Sequence, residues 1–326
     1  MRASFQVSVV LILATVLVFG CGGGGAPTTP DFSDMKVVRT LEIPSGSLDI
    51  AVSKGYAYAV GAGFYIVDVD PPGAASIVKI LEISGDHVAV SGGCAYVIYA
   101  GGDSPGLRIV DIDPPGEASV VKTVEIPGAR DIAVSDGYAY IVGDDALYII
   151  TVEPCSDARV LKTLDLWEAL HVAISDRHAC VLAGGGLHII DVDPPGSASV
   201  VKTVDIDGWN YSSCVAATRG YAYVGMGSLE VLHIIDVDPP AAASMVNSVG
   251  IVPKNSYDGV YCIAMSDGYA YTGGGDSLRI IDVEPYSGAR EVASILIPCP
   301  WIEAVAVLDG YAYVAHEEGL SIIQLW

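Results

Sequence analysis

Six residues could do chemistry by type and by place. Asp49, His87, Asp131, His171, Cys214 and Cys262 each stand two positions before an alanine in a short apolar segment, and Ala304 takes the seventh equivalent place. Imidazole, thiolate and carboxylate are the groups that ligate Zn²⁺ or a similar ion, and the groups that carry protons. One residue earlier come Asp86, Arg130, Tyr261 and Glu303. If the seven positions border one opening, they form a candidate funnel site for a small polar ligand. So wide a ring cannot close on a single ion, so only neighbouring members could share a metal, and none is assigned. A second set, Trp167, Trp209, Tyr211, Tyr257 and Trp301, lies in the connections that vary most in length and composition. Exposed aromatics on such loops are what a recognition surface uses.

The elements that position these residues repeat. The unit typified by "VVKTVEIPGARDIAVSDGYAYIVGDDALYIITVEP" recurs down the chain. Its marker position holds Arg39, Lys79, Lys122, Lys162, Lys202, Asn247 and Ala293, at spacings of 40 to 46 residues. A fixed period in that range marks a repeat array. Inside each unit, segments such as "DIAVS", "YAYIV", "LYIITV" and "VVKTVEI" are short, β-branched or aromatic, and separated by "DG", Gly-rich or "DPPG" turn formers. Each unit therefore reads as four strands. Four-stranded sheets at this spacing predict an all-β fold, a seven-bladed β-propeller with antiparallel blades. The first strand after the N-terminal region, residues 36–43, is a fourth element, and the chain ends on a third. Residues 36–43 are thus expected to supply the outer strand of the last blade and leave no open edge. A parallel β-helix is the fold-level alternative, but its coils are shorter and lack hairpins.

The third strand and its turn carry a resemblance. "FYIVDVDPPG" (64–73), "LRIVDIDPPG" (107–116), "LHIIDVDPPG" (187–196) and "LHIIDVDPP" (232–240) are similar to the LVIVD repeat of surface propellers. The resemblance covers about residues 36–326. It implies the propeller fold and a surface location, and attaches no catalytic residues.

The repeated residues read as packing. The alanine of every inner strand suits crowding at an axis. The Tyr pairs of "GYAY" lie two apart, share a strand face, and should pack between blades. In the "DVDPPG" turns, Asp70, Asp113, Asp193 and Asp238 precede Pro-Pro, where the chain is extended and a carboxylate can cap nearby amides. Twelve-residue calcium loops with a terminal Glu are absent, which leaves only weak Ca²⁺ or other divalent cation association. No cofactor is expected. A disulfide is open between Cys214 and Cys262 or between Cys262 and Cys299, with Cys94 and Cys180 filling core.

The first residues form an address. Arg2, an apolar run from Phe5 to Phe19, and Val18-Phe19-Gly20-Cys21 resemble a bacterial lipoprotein signal. Residues 1–20 would be removed and Cys21 lipidated. Residues 21–34, with four glycines after the cysteine, read as a flexible tether, and 35–326 as the propeller. The chain carries 16 Lys+Arg against 39 Asp+Glu, a net charge of −23, while 52% of it is hydrophobic. The apolar content supports a large core, and the charge excludes nucleic acid as a general partner. On the strand reading, acids coat both flat faces and the few bases ring the rim, which favours a cationic or cation-bridged partner. The expectation is a monomeric, lipid-anchored, extracytoplasmic binding or protein-interaction module of the cell envelope. Its partner would be an envelope or extracellular protein or a small polar ligand. The alternatives are a small-molecule hydrolase or lyase with an axial-funnel site, and a structural subunit of an envelope complex.

Overall fold

The computed structural model describes residues 30–44, 46–101, 105–208, 214–251 and 259–326. It forms seven four-stranded antiparallel sheets. Blades 1 to 6 each run in chain order from inner to outer strand, over 49–81, 87–125, 129–165, 171–205, 214–250 and 262–296. Blade 7 consists of β26 (Ile302–Leu308), β27 (Tyr311–His316), β28 (Gly319–Gln324) and, outermost, β1 (Lys36–Glu42). Lys36 opposes Gln324 and Glu42 opposes Gly319, so the N-terminal strand closes the ring as expected. No helix among the described residues is long and apolar enough to cross a membrane.

One register row explains the blade. In blade 1, Ala51 opposes Tyr58, Tyr58 opposes Ile66, and Ile66 opposes Lys79. Blade 3 repeats it as Ala133, Tyr140, Ile149 and Lys162. The smallest side chain stands at the axis, where sheets converge, and the cation at the rim, where they diverge. The second tyrosine of each "GYAY" pair is buried and the first is half-buried. Burial pushes the phenols of Tyr58, Tyr140 and Tyr313 up to about 12. The hairpins between first and second strands turn through Lys54-Gly55, Asp136-Gly137 and their equivalents. Except in blade 4, where Arg177 follows Asp176, both residues have positive φ, near 51° and 80° in the first case, which is the turn whose twist matches antiparallel strands.

The outer strands share a further device. Val38, Val78, Val121, Leu161, Val201, Val246 and Val292 are each the extra residue of a β-bulge. A bulge twists an edge away from any second strand that would pair with it.

The turns after the third strands differ from expectation. The bonds Asp70-Pro71, Asp113-Pro114, Glu153-Pro154, Asp193-Pro194, Asp238-Pro239 and Glu284-Pro285 are cis, and a single 3-10 turn follows each. The capping carboxylate belongs to the acid two residues earlier. Asp68 accepts from the Asp70 N–H at 3.0 Å, and Asp111, Asp191, Asp236 and Asp282 do the same for the residue two on. The earlier acid sits at the strand end, in reach of the amide that the turn frees.

The described end of the expected tether, residues 30–34, lies against the propeller. Asp31 caps a 3-10 turn over Phe32–Asp34, and the Phe32 ring packs edge-on against Tyr269 at 5.1 Å and Trp326 at 5.9 Å. An aromatic inside the predicted tether docks it to the propeller.

The cysteines are paired otherwise than expected. A disulfide joins Cys94 in blade 2 to Cys155 in the lower turn of blade 3. Cys180, Cys214, Cys262 and Cys299 are buried and reduced, so neither pairing through Cys262 forms. Cys94 takes the place of a first "GYAY" tyrosine, and Cys155 the place of the second proline of "DPP". In the next seam but two, Tyr221 and Tyr286 hold the same two places and stack at 3.5 Å. A peptide map of the unreduced protein should show one cross-link, between the Cys94 and Cys155 peptides. Replacing both cysteines by serine should lower stability by about 2–4 kcal/mol in denaturant titrations.

Candidate functional site

The inner strands of neighbouring blades touch around the whole ring, and their starts share one face, here called the upper face. Asp49, His87, Asp131, His171, Cys214 and Cys262 do occupy equivalent places there. They do not line an open funnel. Asp49 and Asp131 are fully buried, and His87 and His171 nearly so.

The two aspartates act as latches between blades. Asp49 Oδ1 accepts from the Ile50 N–H at 2.8 Å, and its Oδ2 accepts from the Val88 N–H of blade 2 at 2.9 Å. Asp131 does the same with Ile132 at 2.8 Å and with Val172 of blade 4 at 3.0 Å. Each also faces the histidine that precedes its second donor. His87 Nδ1 lies 3.7 Å from Asp49 Oδ2, and His171 Nδ1 lies 3.5 Å from Asp131 Oδ2. An inner strand has no neighbour on its axial side, so its first amide needs an acceptor, and the preceding blade supplies one.

Burial raises the Asp49 carboxyl above its ordinary value, against the pull of His87 and the two amides. Burial also works against the charged His87 ring. The Asp49 contact and the fields of Asp131, Asp49 and Asp86 outweigh it, and His87 ends above its ordinary value.

The cysteines behave differently. The Cys214 thiol lies 3.6 Å from the Val260 carbonyl of the next blade, to which it donates. It and Cys262 oppose Gly225 and Gly273 in their own hairpins, where a Cβ would strike the sulfur. Burial holds both thiols well above the ordinary range, so they stay protonated. That suits packing and denies them the thiolate form that metals and electrophiles need. Among the described residues, no three His, Cys, Asp or Glu stand close enough to hold a metal ion.

Glu303, a neighbour of this ring, also carries a raised carboxyl. It is buried, and burial followed by the field of Glu317 pushes it up to about 7. Asp86, Arg130 and Tyr261 share its place in other blades, so the sequence alone did not set it apart. A shallow depression at the closing seam is lined by Glu42, Ile43, Pro44 and Glu318, and by none of the axial residues.

The aromatics divide. Trp167 is 64% exposed. Trp301 is half-buried and packs edge-on against Tyr261 at 4.8 Å. Trp209, Tyr211 and Tyr257 lie outside the described residues, as do Cys21 and the predicted signal. Leu48, Leu229 and Leu296 are also exposed on the upper face, which the first strands enter and the second leave.

Removing a latch should cost folding energy without touching any surface. Asp131→Ala strips the acceptor from two buried amides and should destabilise by about 2–4 kcal/mol in urea titrations. His87 carries a raised value in the fold, so its contribution is full below its unfolded value and lost as pH rises through the folded one. Glu303 has the same sign, from its unfolded value up to about 7. Thermal stability should therefore fall as pH rises from weakly acidic values through about 7. Glu303→Gln and His87→Gln should each flatten that slope.

Comparison with known proteins agrees with the geometry. The family model of the LVIVD repeat matches residues 46–80, 84–124, 128–157, 168–206, 211–250, 260–289 and 303–324. No curated protein matches the chain. Among solved structures, the WD40 β-propeller domain of Doa1 is similar, with TM-score 0.68 at 13% identity over 90% of this chain and 97% of that one. BamB from Moraxella catarrhalis gives TM-score 0.58 at 12% identity, over 86% of this chain and 83% of that one. PorZ, a bacterial surface component of the type-IX secretion system of Porphyromonas gingivalis, gives TM-score 0.61 at 15% identity, over 90% of this chain and 38% of that one. At such identities the likeness is one of fold. The repeat matches take in more than half of the chain, one per blade, and the protein belongs to the LVIVD-repeat family.

Proposed function

We propose that this propeller is a lipid-anchored, extracytoplasmic binding module of the cell envelope, and that its upper face captures a protein partner. The observation that carries the reading is Trp167. Its indole stands exposed, while its backbone is fixed from two blades. The Trp167 carbonyl accepts from the Gly184 N–H of blade 4 at 2.7 Å, and the next amide, Glu168, donates to Asp145 of blade 3 at 2.7 Å. A side chain at Gly184 would run into the indole, so the glycine is what lets the ring lie there. A large aromatic held in place before contact loses little conformational freedom on binding, which is the character of an interface anchor. Leu48, Leu229 and Leu296 are exposed elsewhere on the same face.

Two observations support the location. The Cys94–Cys155 disulfide belongs to an oxidising compartment. Gly20-Cys21 after an apolar run fits lipid attachment. PorZ offers a precedent for this fold at a bacterial surface. The funnel-enzyme alternative loses its residues, since His87, His171 and Asp131 hold blades together and are closed to a substrate.

Trp167→Ala should leave thermal stability within about 0.5 kcal/mol of the parent, as for other exposed sites. It should remove the partner otherwise recovered by affinity capture from native envelope. Unchanged capture with Trp167→Ala would refute the assignment of this face. Incorporation of labelled fatty acid should occur in the parent and be absent in Cys21→Ser.

A further inference from the structure

The fold does not ask for an indole at residue 167. In the other links between blades, the place after the apolar residue that ends the outer strand holds Pro44, Ser84, Pro127, Asp207 or Pro298. A small or cyclic residue makes the same passage there. Trp167 puts a large ring in that place and leaves it 64% exposed.

The charge around this ring is almost all of one sign. Glu168 follows it in the chain, and the Asp145 carboxylate accepts from the Glu168 N–H at 2.7 Å. Asp165 stands two residues before Trp167 and opposes Ala146, next to Asp145 in the hairpin of blade 3. Asp144 is in the same turn and leans on Gly128. Asp145 and Glu168 are thus the two carboxylates tied to the Trp167 backbone. All four acids are exposed, and among the described residues none of them is in an ion pair. The cation at this end of blade 3 is Arg130, half-exposed on the inner strand. In blade 4, His171 is buried against Asp131, and both ring nitrogens of His188 are engaged by the Gly184 carbonyl and Thr203.

An acidic partner would bring like charge against these carboxylates. A purely apolar one would take water from them and return no hydrogen bond. A guanidinium suits both features, since its plane stacks on an indole and its N–H fork pairs with carboxylates. An ammonium group is a strongly hydrated point charge with no plane to stack.

We propose that the partner of the upper face presents an arginine-bearing basic segment, with one guanidinium on the Trp167 ring and the segment's other cations met by Asp145 and Glu168. This rests on the upper face being the binding face, and adds the chemical class of what it binds. It is consistent with a chain of net charge −23.

The test titrates the full chain, labelled with 5-fluorotryptophan, with the capped peptide Gly-Arg-Gly-Arg-Gly and with its citrulline counterpart. Fluorine NMR follows the resonance that disappears in Trp167→Phe. Saturable binding of the arginine peptide is expected, with a shift of that resonance and an affinity that falls as salt rises. Trp167→Ala should weaken it about tenfold. The double variant Asp145→Asn with Glu168→Gln should do the same and flatten the salt dependence, because an amide oxygen at position 145 still accepts from the backbone and only charge is lost. The citrulline peptide, alike in shape but uncharged, should bind about tenfold more weakly or worse. Absence of saturable binding, equal affinity for the two peptides, or parental affinity in either variant would each overturn the proposal. Envelope capture that depends on Trp167 while the arginine peptide fails would remove the basic segment and leave the binding face standing. Capture indifferent to Trp167 would remove the face and the proposal with it.

Discussion

Seven strands meeting around one axis leave room for a methyl group and little more, and the rest of the molecule follows from that crowding. The alanine of each inner strand is buried against its neighbours, where a small side chain suits the crowding. Moving outward, the wedge between sheets opens, and the row passes through a buried tyrosine and an isoleucine to a cation at the rim. The apolar half of the composition is consumed in these seams. The acids are left to the flat faces, where turns and strand ends have amides to satisfy.

Each seam solves the same packing problem with different chemistry. At the lower end, one pair of positions is filled by a disulfide between blades 2 and 3 and by stacked tyrosines between blades 5 and 6. Between blades 6 and 7, the N-terminal Phe32 and the C-terminal Trp326 pack near Tyr269. At the upper end, Asp–His latches close two seams and a thiol–carbonyl contact closes a third. A ring of near-identical units tolerates this variety because each joint is local, and a change at one seam need not be matched at the next.

The architecture was legible because it is periodic: repeats, hairpin glycines and the unmatched first and last strands together dictate seven closed blades. The polar starts of the inner strands were legible as a set, but their chemistry was misread. Asp, His and Cys at equivalent places look like ligands in a linear sequence. Only the position of the next blade shows that Asp49 has an amide to hold and that Cys214 faces a carbonyl. The Cys94–Cys155 bond was hidden for the same reason. Its halves belong to different elements of the repeat, 61 residues apart, and meet only because one blade's second strand packs on the next blade's turn. Glu303 was visible as one of several polar residues at its place, but the bulge that holds it depends on pairing.

The strand that closes the ring also gives the molecule an orientation. β1 starts at Lys36, opposite the C-terminal end of β28, and climbs toward Gly319. The chain before it is pinned by Phe32 beside Trp326, on the side of the proline turns. About ten residues separate that point from Cys21, the proposed site of the lipid. Under that proposal, the propeller would lie with its proline turns toward the bilayer. The acids of those turns would keep it standing off from anionic headgroups, and the face bearing Trp167 and Glu303 would look away from the lipid.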